Sequence, residues 1–356
     1  MSLYRSSISR QLICNTVQGI RIISPLADIS PNRQRNYSEN CVHITEVGPR
    51  DGLQNETKII PLSTKLELIR KLVNTGLTRI EAGSFVSPKW VPQMADSNEI
   101  LKHILEMSQG ANDAVEYSFL TPNKHGLDSV LTILKDYPKS KDSLALHCPA
   151  TSRPAIKIAV FAAATETFSQ KNLNCSIAES LERFRPVISM AKSAHLPIRA
   201  YISVVLGCPY EGLVSPSKVA SLATSLLCMG ADEIDLGDTT GMGTEPATTE
   251  LLRTIQIAGV PCEKLIMHFH DTYGMALKNT VVSLEHGVRS FDSSVASLGG
   301  CPYSPGATGN VGTENLIEFC VGQGMKTGVD INALRDVGKW IGQIVGCNTR
   351  SKINVV

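Results

Sequence analysis

Glu46-Val-Gly-Pro-Arg50-Asp51-Gly-Leu-Gln54-Asn55-Glu56 ends a short apolar strand in an adjacent cation and anion inside a glycine-flanked turn. An arginine placed there can hold a developing oxyanion with two parallel donors, and a neighbouring carboxylate is a hard oxygen ligand for a divalent cation. A loop salt bridge capping the next helix is the plainer reading of the same pair. The two readings separate on whether other strands of the chain end in the same way.

The unit recurs downstream. Short apolar runs predict strands at residues 43–49, 79–85, 115–120, 157–163, 198–205, 233–237, 265–270 and 290–296, with helical patterns between them. Ser63 opens one helix that ends at Gly76, and Ser176 with Glu179 forms a capping box that opens another. Ser215 followed by Pro216 opens a third, running to Gly230, with proline where its missing N–H costs least. Eight strands each followed by a helix predict an α/β fold, a single (β/α)8 TIM barrel. The alternatives are an open doubly wound sheet and two smaller domains. No proline-rich linker divides the chain after residue 41, and no Gly-x-Gly-x-x-Gly follows the first strand, which disfavours a dinucleotide-binding domain.

Composition narrows the function classes. The formal charge is +1, and Lys and Arg are scattered without interleaved aromatics, so a nucleic-acid partner is not expected. No run approaches the roughly 20 apolar residues that span a bilayer, so neither is a membrane. Ten cysteines show no regular spacing and no Cys-x-x-Cys pair, which fits a reducing compartment better than a zinc ribbon or a disulfide framework. The first 40 residues differ in kind: Arg5, Arg10, Arg21, Arg33 and Arg35 face only Asp28 and Glu39, serines are frequent, and Tyr4, Ile8 and Leu12 make a helical apolar stripe. That is transit-peptide composition, and Arg35-Asn-Tyr37-Ser38 resembles a matrix-processing site, with cleavage after Tyr37. A disordered basic arm is the alternative.

In a barrel, catalytic groups gather at the C-terminal ends of the strands. The second strand, Arg79-Ile-Glu81-Ala-Gly-Ser84-Phe, carries Glu81 inside an apolar run, where an unpaired carboxylate is costly and calls for a cationic or hydrogen-bonding partner. The sixth, Glu233-Ile-Asp235-Leu-Gly-Asp238-Thr239, puts Asp238 at its end. The seventh, Leu265-Ile-Met-His268-Phe-His270-Asp271-Thr-Tyr273-Gly, sets two histidines on one face. With a carboxylate from across the barrel, and Asp51 is one, such a pair makes a metal site. A single histidine reads more readily as a satisfied core imidazole. Mixed imidazole and carboxylate ligation suits Mg²⁺ or Mn²⁺ and does not exclude zinc or iron. After the eighth strand, Leu298-Gly-Gly300-Cys301-Pro-Tyr-Ser-Pro-Gly306-Ala-Thr-Gly309-Asn310 is a tightly turned loop. Cys301 reads either as a proton donor or acceptor near a cation or as an incidental thiol. Asn310 offers a further carbonyl ligand.

These strings, with Ser84-Phe-Val-Ser-Pro-Lys-Trp-Val-Pro-Gln-Met94, Gly207-Cys-Pro-Tyr-Glu-Gly212 and Ser297-Leu-Gly-Gly-Cys-Pro-Tyr303, resemble 3-hydroxy-3-methylglutaryl-CoA lyases from about residue 42 nearly to the C-terminus. The resemblance implies a single (β/α)8 barrel that cleaves 3-hydroxy-3-methylglutaryl-CoA to acetyl-CoA and acetoacetate, the chemistry of ketone-body formation and leucine degradation. It implies a divalent cation, Mg²⁺ or Mn²⁺, on Asp51, His268, His270 and Asn310, with Arg50 at the enolate of the acetyl-CoA product. Glu81 is implied as essential, Asp238 as a further functional acid, and Cys301 as the loop cysteine of proton transfer. Glu46 and Gln54 are implied as supporting contacts, Gln54 toward the substrate. Within that scheme Cys301, or water relayed through it, is the expected proton donor at C2 and His268 the expected base at the C3 hydroxyl. Asn55, Lys58 and the loop containing Lys89 are candidates for coenzyme A contacts. The partner is a small-molecule acyl-CoA, a homodimer is expected, and the compartment is the mitochondrial matrix.

One stretch departs from the family pattern. Between Thr121-Pro-Asn123 and Lys157-Ile-Ala-Val-Phe161 the chain is roughly twenty residues longer than expected, an excess that surface loops tolerate. The expected organisation is therefore a transit peptide over 1–37, a catalytic barrel over 42–330 with an unusual insertion near 135–156, and a C-terminal helix and tail over 331–356. Two rival readings stand beside the lyase. One is an acyl-CoA condensing synthase of the same superfamily, opposed by Pro49 before Arg50 and by the absence of a following regulatory domain. The other is an inactive scaffold, should the insertion disrupt the fourth strand.

Overall fold

The computed structural model describes residues 15–17, 20–22, 40–107, 115–137, 154–299 and 309–346. Eight parallel strands close into a barrel. They are β1 (His43–Glu46), β2 (Arg79–Ser84), β3 (Glu116–Leu120), β4 (Ala155–Ala163), β5 (Ile198–Ser203), β6 (Glu233–Asp238), β7 (Leu265–Phe269) and β8 (Ser290–Ser293). Closure is explicit in the register, with Ser290 opposite His43 and Ser293 opposite Glu46, so the barrel has no open edge. The helices that follow are α1 (Leu62–Asn74), α2 (Ser97–Met107), α3 (Lys124–Asp136), α4 (Glu166–Leu173), α5 (Ile177–Ser193), α6 (Pro216–Met229), α7 (Glu245–Ile257), α8 (Ala276–Glu285), α9 (Thr313–Gly322) and α10 (Ile331–Val345). Among the described residues no helix is long and apolar enough to cross a membrane.

Each predicted strand is present, and the differences at the ends have local causes. β1 stops at Glu46 because Gly48–Gly52 winds into one π-helical turn with Pro49 near its start, where proline has no N–H for the ladder. Beyond β8, Val295–Ser297 turns sharply, with Ala296 at φ 56°. The Ser176–Glu179 capping box forms as expected, and α6 starts at Pro216 and ends at Gly230 in the left-handed conformation. Ser63 is not a cap: α1 already includes Leu62, and Pro61 precedes it.

The region of the insertion leaves the barrel whole. α3 runs to Asp136, and β4 pairs on both sides, Ile156 with Tyr117 and Ile158 with Ile198. A disrupted fourth strand is thus ruled out, and with it the ground for an inactive scaffold. Residues 138–153 lie outside the described residues. So do the apolar stripe Tyr4–Ile8–Leu12 and the expected cleavage point at Tyr37; within 1–37 only a short antiparallel pairing of Asn15–Val17 with Ile20–Ile22 is described.

The core sits between strands and helices, while the barrel lumen carries charge. On β7, Met267 and Phe269 pack into the main hydrophobic core, whereas His268 and His270 line the cavity at the barrel mouth. Deeper in the lumen the Lys157 ammonium lies 2.7 Å from Glu116 and 2.5 Å from Glu233. Buried charges persist only when paired, and each of these has its partner.

Glu46 ties the two ends of this closure together. Its Oε1 accepts from the Gly48 and Val295 amides at 2.7 and 2.9 Å, and its Oε2 accepts from the Thr313 hydroxyl at 2.7 Å. Burial pushes its carboxyl up to about 8, against the pull of those three donors. Glu46→Ala would strand two buried amides, each costing about 1–3 kcal/mol. Urea denaturation should show a loss of roughly 3 kcal/mol or more for Glu46→Ala, and about 1 kcal/mol for Glu46→Gln, which keeps an acceptor.

Candidate active site

The turn after β1 places Arg50 and Asp51 at the mouth. It needs its glycines: a Cβ on Gly52 would lie 2.7 Å from Ser294 Oγ and 2.8 Å from Leu298 Cβ. Arg50 is buried, with Nε 2.7 Å and Nη2 2.6 Å from Glu81 Oε2, and Nη1 2.7 Å from Asp51 Oδ1. Glu81 thus has the cationic partner its position demands. Burial opposes the charge on Arg50, but Glu81 and Asp51 outweigh it and hold the guanidinium firmly protonated. For Asp51, burial works upward, and Arg50 followed by His268 pulls its carboxyl below the usual range. Arg50 and Asp51 therefore do pair, so the salt bridge and the chemical reading of the opening motif are not exclusive. A guanidinium has five donors, and these contacts leave one N–H on each Nη, on a side chain that lines the cavity.

β7 brings the histidines to Asp51. Asp51, His268 and His270 each offer one ligand atom, all within 4.8 Å of one another. Asn310 approaches from the chain beyond β8, its Nδ2 donating to Asp51 Oδ2 at 2.9 Å and to the Leu298 carbonyl at 3.1 Å. That orientation leaves Asn310 Oδ1 buried without a hydrogen-bond partner, as is His270 Nδ1. An orphaned buried amide oxygen beside a carboxylate and two imidazoles is what a hard or borderline divalent cation would satisfy. The residues fit such a group.

Beneath them lies a network that the sequence reading did not identify. Asp292 Oδ2 is 3.1 Å from His268 Nδ1 and also pairs with Arg199, which in turn pairs with Asp235. Asp235, His268 and Asp292 form a second cluster of close ligand atoms, but the Arg199 guanidinium already supplies its positive charge. Both arginines approach the Tyr201 ring, whose centre is 4.6 Å from the Arg199 guanidinium carbon and 5.5 Å from that of Arg50. The missed signal was the one used for Glu81: Arg199 and Asp292 are charged residues inside short apolar strands.

This network fixes the state of the histidines. For His268, burial lowers the pKa, but the Asp292 hydrogen bond and neighbouring carboxylates outweigh it and raise it to about 9. Burial and the charge of His268 push His270 down to about 4. His270 is therefore neutral at pH 7 and His268 protonated, and a cation must displace that proton. The sign follows: apparent Mn²⁺ affinity should rise about tenfold per unit between roughly pH 6.5 and 8.5, read by electron paramagnetic resonance of free Mn²⁺. A pH-independent affinity would contradict it. With Nδ1 held by Asp292, His268 has only Nε2 to give, so it cannot serve as ligand and base at once.

A cavity of about 770 Å³ opens over these groups, lined by Arg50, Asp51, Gln54, His268 and His270. Asn55 lines it too, as does the loop containing Lys89 through Val86, Ser87, Trp90 and Val91, whereas Lys58 does not; Lys171 and Arg183 also bring positive charge to its wall. Asp238 is absent from the lining. Strand alternation turns Gly237 and Thr239 to the cavity, and the Asp238 carboxylate accepts from the Gly243 amide at 2.9 Å, shaping the β6–α7 turn. Burial pushes that carboxyl up to about 6. Cys301 lies outside the described residues.

Residues 41–341 match the model of the HMGL-like family. The chain belongs to the HMGL-like family. Over 88% of its length and 88% of the relative's, it is 46% identical to the mitochondrial hydroxymethylglutaryl-CoA lyase of Bos taurus. The hydroxymethylglutaryl-CoA lyase of Pseudomonas mevalonii is also 46% identical, over 88% of this chain and 95% of that one. Among solved structures, the hydroxymethylglutaryl-CoA lyase of Pseudomonas aeruginosa superposes with a TM-score of 0.78 at 46% identity, covering 88% of this chain and 96% of that one. Identity of 46% over 88% of the chain to these lyases makes the chain a lyase, and it accounts for the motif order read in the sequence.

Proposed function

We propose that this lyase cleaves 3-hydroxy-3-methylglutaryl-CoA to acetyl-CoA and acetoacetate, with Mg²⁺ or Mn²⁺ held by Asp51, His268, His270 and Asn310. The observation that carries the reading is the convergence of the Asp51–His268–His270 cluster with a guanidinium that keeps donors free. A bound divalent cation would supply Lewis acidity toward the C3 hydroxyl, easing transfer of its proton to solvent water in the cavity as the bond to C2 breaks. The electrons of that bond pass into the thioester. Arg50, clamped by Glu81 and Asp51, presents its remaining N–H groups to the resulting enolate oxygen without having to reorganise. Protonation at C2 finishes acetyl-CoA, and Cys301 is the proposed donor.

The proposed compartment is the mitochondrial matrix, on the arginine-rich composition of residues 1–37 and the mitochondrial relative. The full chain, supplied with 3-hydroxy-3-methylglutaryl-CoA, should release acetoacetate and acetyl-CoA in equal amounts. Folded protein that releases neither would defeat the assignment.

A further inference from the structure

The cavity mouth is chemically divided. β7 and the turn after β1 bring His268, His270, Arg50 and Asp51 to one side, whereas β3, β4 and β5 bring Leu120, Phe161 and Tyr201 to another. Leu120, Ala159 and Tyr201 are buried and pack with Phe161 as an apolar cluster separate from the main core. Three of its members line the cavity. The cluster is close to the charged side: the Tyr201 ring centre is 6.5 Å from that of His268 and 5.5 Å from the Arg50 guanidinium carbon. Cation contacts from Arg50 and Arg199 hold the tyrosine ring in place.

A substrate whose hydroxyl sits at the His268 side and whose thioester oxygen meets Arg50 must turn the other substituents of C3 elsewhere. One of them ends in a carboxylate, which apolar side chains would desolvate without compensation. The other is the methyl group, which gains by leaving water.

We infer that Leu120 and Phe161, backed by the Tyr201 ring, form a seat for the alkyl branch at C3 and set the preference for a methyl group there. The inference rests on the proposed cleavage of 3-hydroxy-3-methylglutaryl-CoA and deepens it. Leu120 and Phe161 can be trimmed without touching the Arg50–Glu81 or Arg199–Asp292 pairs, and the Leu120 carbonyl that accepts from the Phe85 amide is main chain.

The experiment compares kcat/KM for the methyl substrate and its 3-ethyl homologue in wild type, Leu120→Ala and Phe161→Leu. One methylene in a fitted apolar pocket is worth about 10- to 200-fold, so wild type should favour methyl by at least about tenfold. Leu120→Ala opens the seat and should cut that preference by about fivefold or more, with a smaller cut in Phe161→Leu. Both substrates are measured on one preparation, so a loss of folded protein cancels in the ratio. Ratios unchanged from wild type in both variants, with the methyl substrate still cleaved, overturn the seat alone. A wild type that releases no acetoacetate overturns the cleavage reading and the seat with it.

Discussion

Arg50→Lys is expected to lower kcat for cleavage by about a thousandfold while KM stays within about threefold, because in the proposed reaction the lost interaction strengthens at the enolate beyond what the bound thioester receives. Lysine keeps the positive charge, so Glu81, which is fully buried, is not left without a cation. What it loses is the fork. Arg50 reaches Glu81 through Nε and Nη2 and Asp51 through Nη1, and still has donors to spare. An ammonium cannot span both carboxylates and also present a fixed donor to the cavity. Steady-state kinetics on protein of wild-type circular dichroism reads the effect. A variant that raised KM and spared kcat would assign Arg50 to substrate binding.

Asp51→Asn should cut Mn²⁺ affinity by more than the roughly 10- to 100-fold that follows loss of an outer hydrogen-bond partner, with cleavage falling in step. Asp51 is the anionic member of its cluster, and its carboxyl is held well ionised by Arg50 and His268, with burial opposing. The amide would also set its NH₂ against one of two donors, the Asn310 NH₂ at 2.9 Å or the Arg50 Nη1 at 2.7 Å, disturbing either a second expected ligand or the arginine clamp. Asp292→Asn makes the informative contrast. It touches His268 Nδ1 only from behind, so its loss of affinity should stay within about 10- to 100-fold. Equal losses in the two variants would mean that Asp51 is not a direct ligand.

The barrel was legible because its strands are short, apolar and bounded, and because polar residues cluster where they end. The ion-pair lumen was not. Glu81 was read as needing a partner, and the same logic applied to Arg199, Asp235 and Asp292 would have shown a charged interior; which charges meet depends on barrel closure, which no single segment encodes. Asp238 shows the converse limit. It ends β6 as Arg50 and Asp51 follow β1, yet a one-residue change of face turns its carboxylate to the Gly243 amide and away from the cavity. His268 and His270 escaped that ambiguity because their i, i+2 spacing commits both to one face. At the cavity wall, Asn55 and the loop containing Lys89 lie where their place in the sequence suggests and Lys58 does not, while Lys171 and Arg183 reach it on α4 and α5, a proximity that only the closed barrel creates.

The central claim is that cleavage runs on a cation held by Asp51, His268, His270 and Asn310. The measurement that tests it most directly strips the wild-type protein with a chelator and then returns Mn²⁺ in steps, following bound Mn²⁺ and acetoacetate release from 3-hydroxy-3-methylglutaryl-CoA on the same samples. The account predicts negligible rate without metal, one Mn²⁺ bound per chain at saturation, and a rate proportional to occupancy. Full activity in the stripped protein, or a rate that does not follow occupancy, would contradict it.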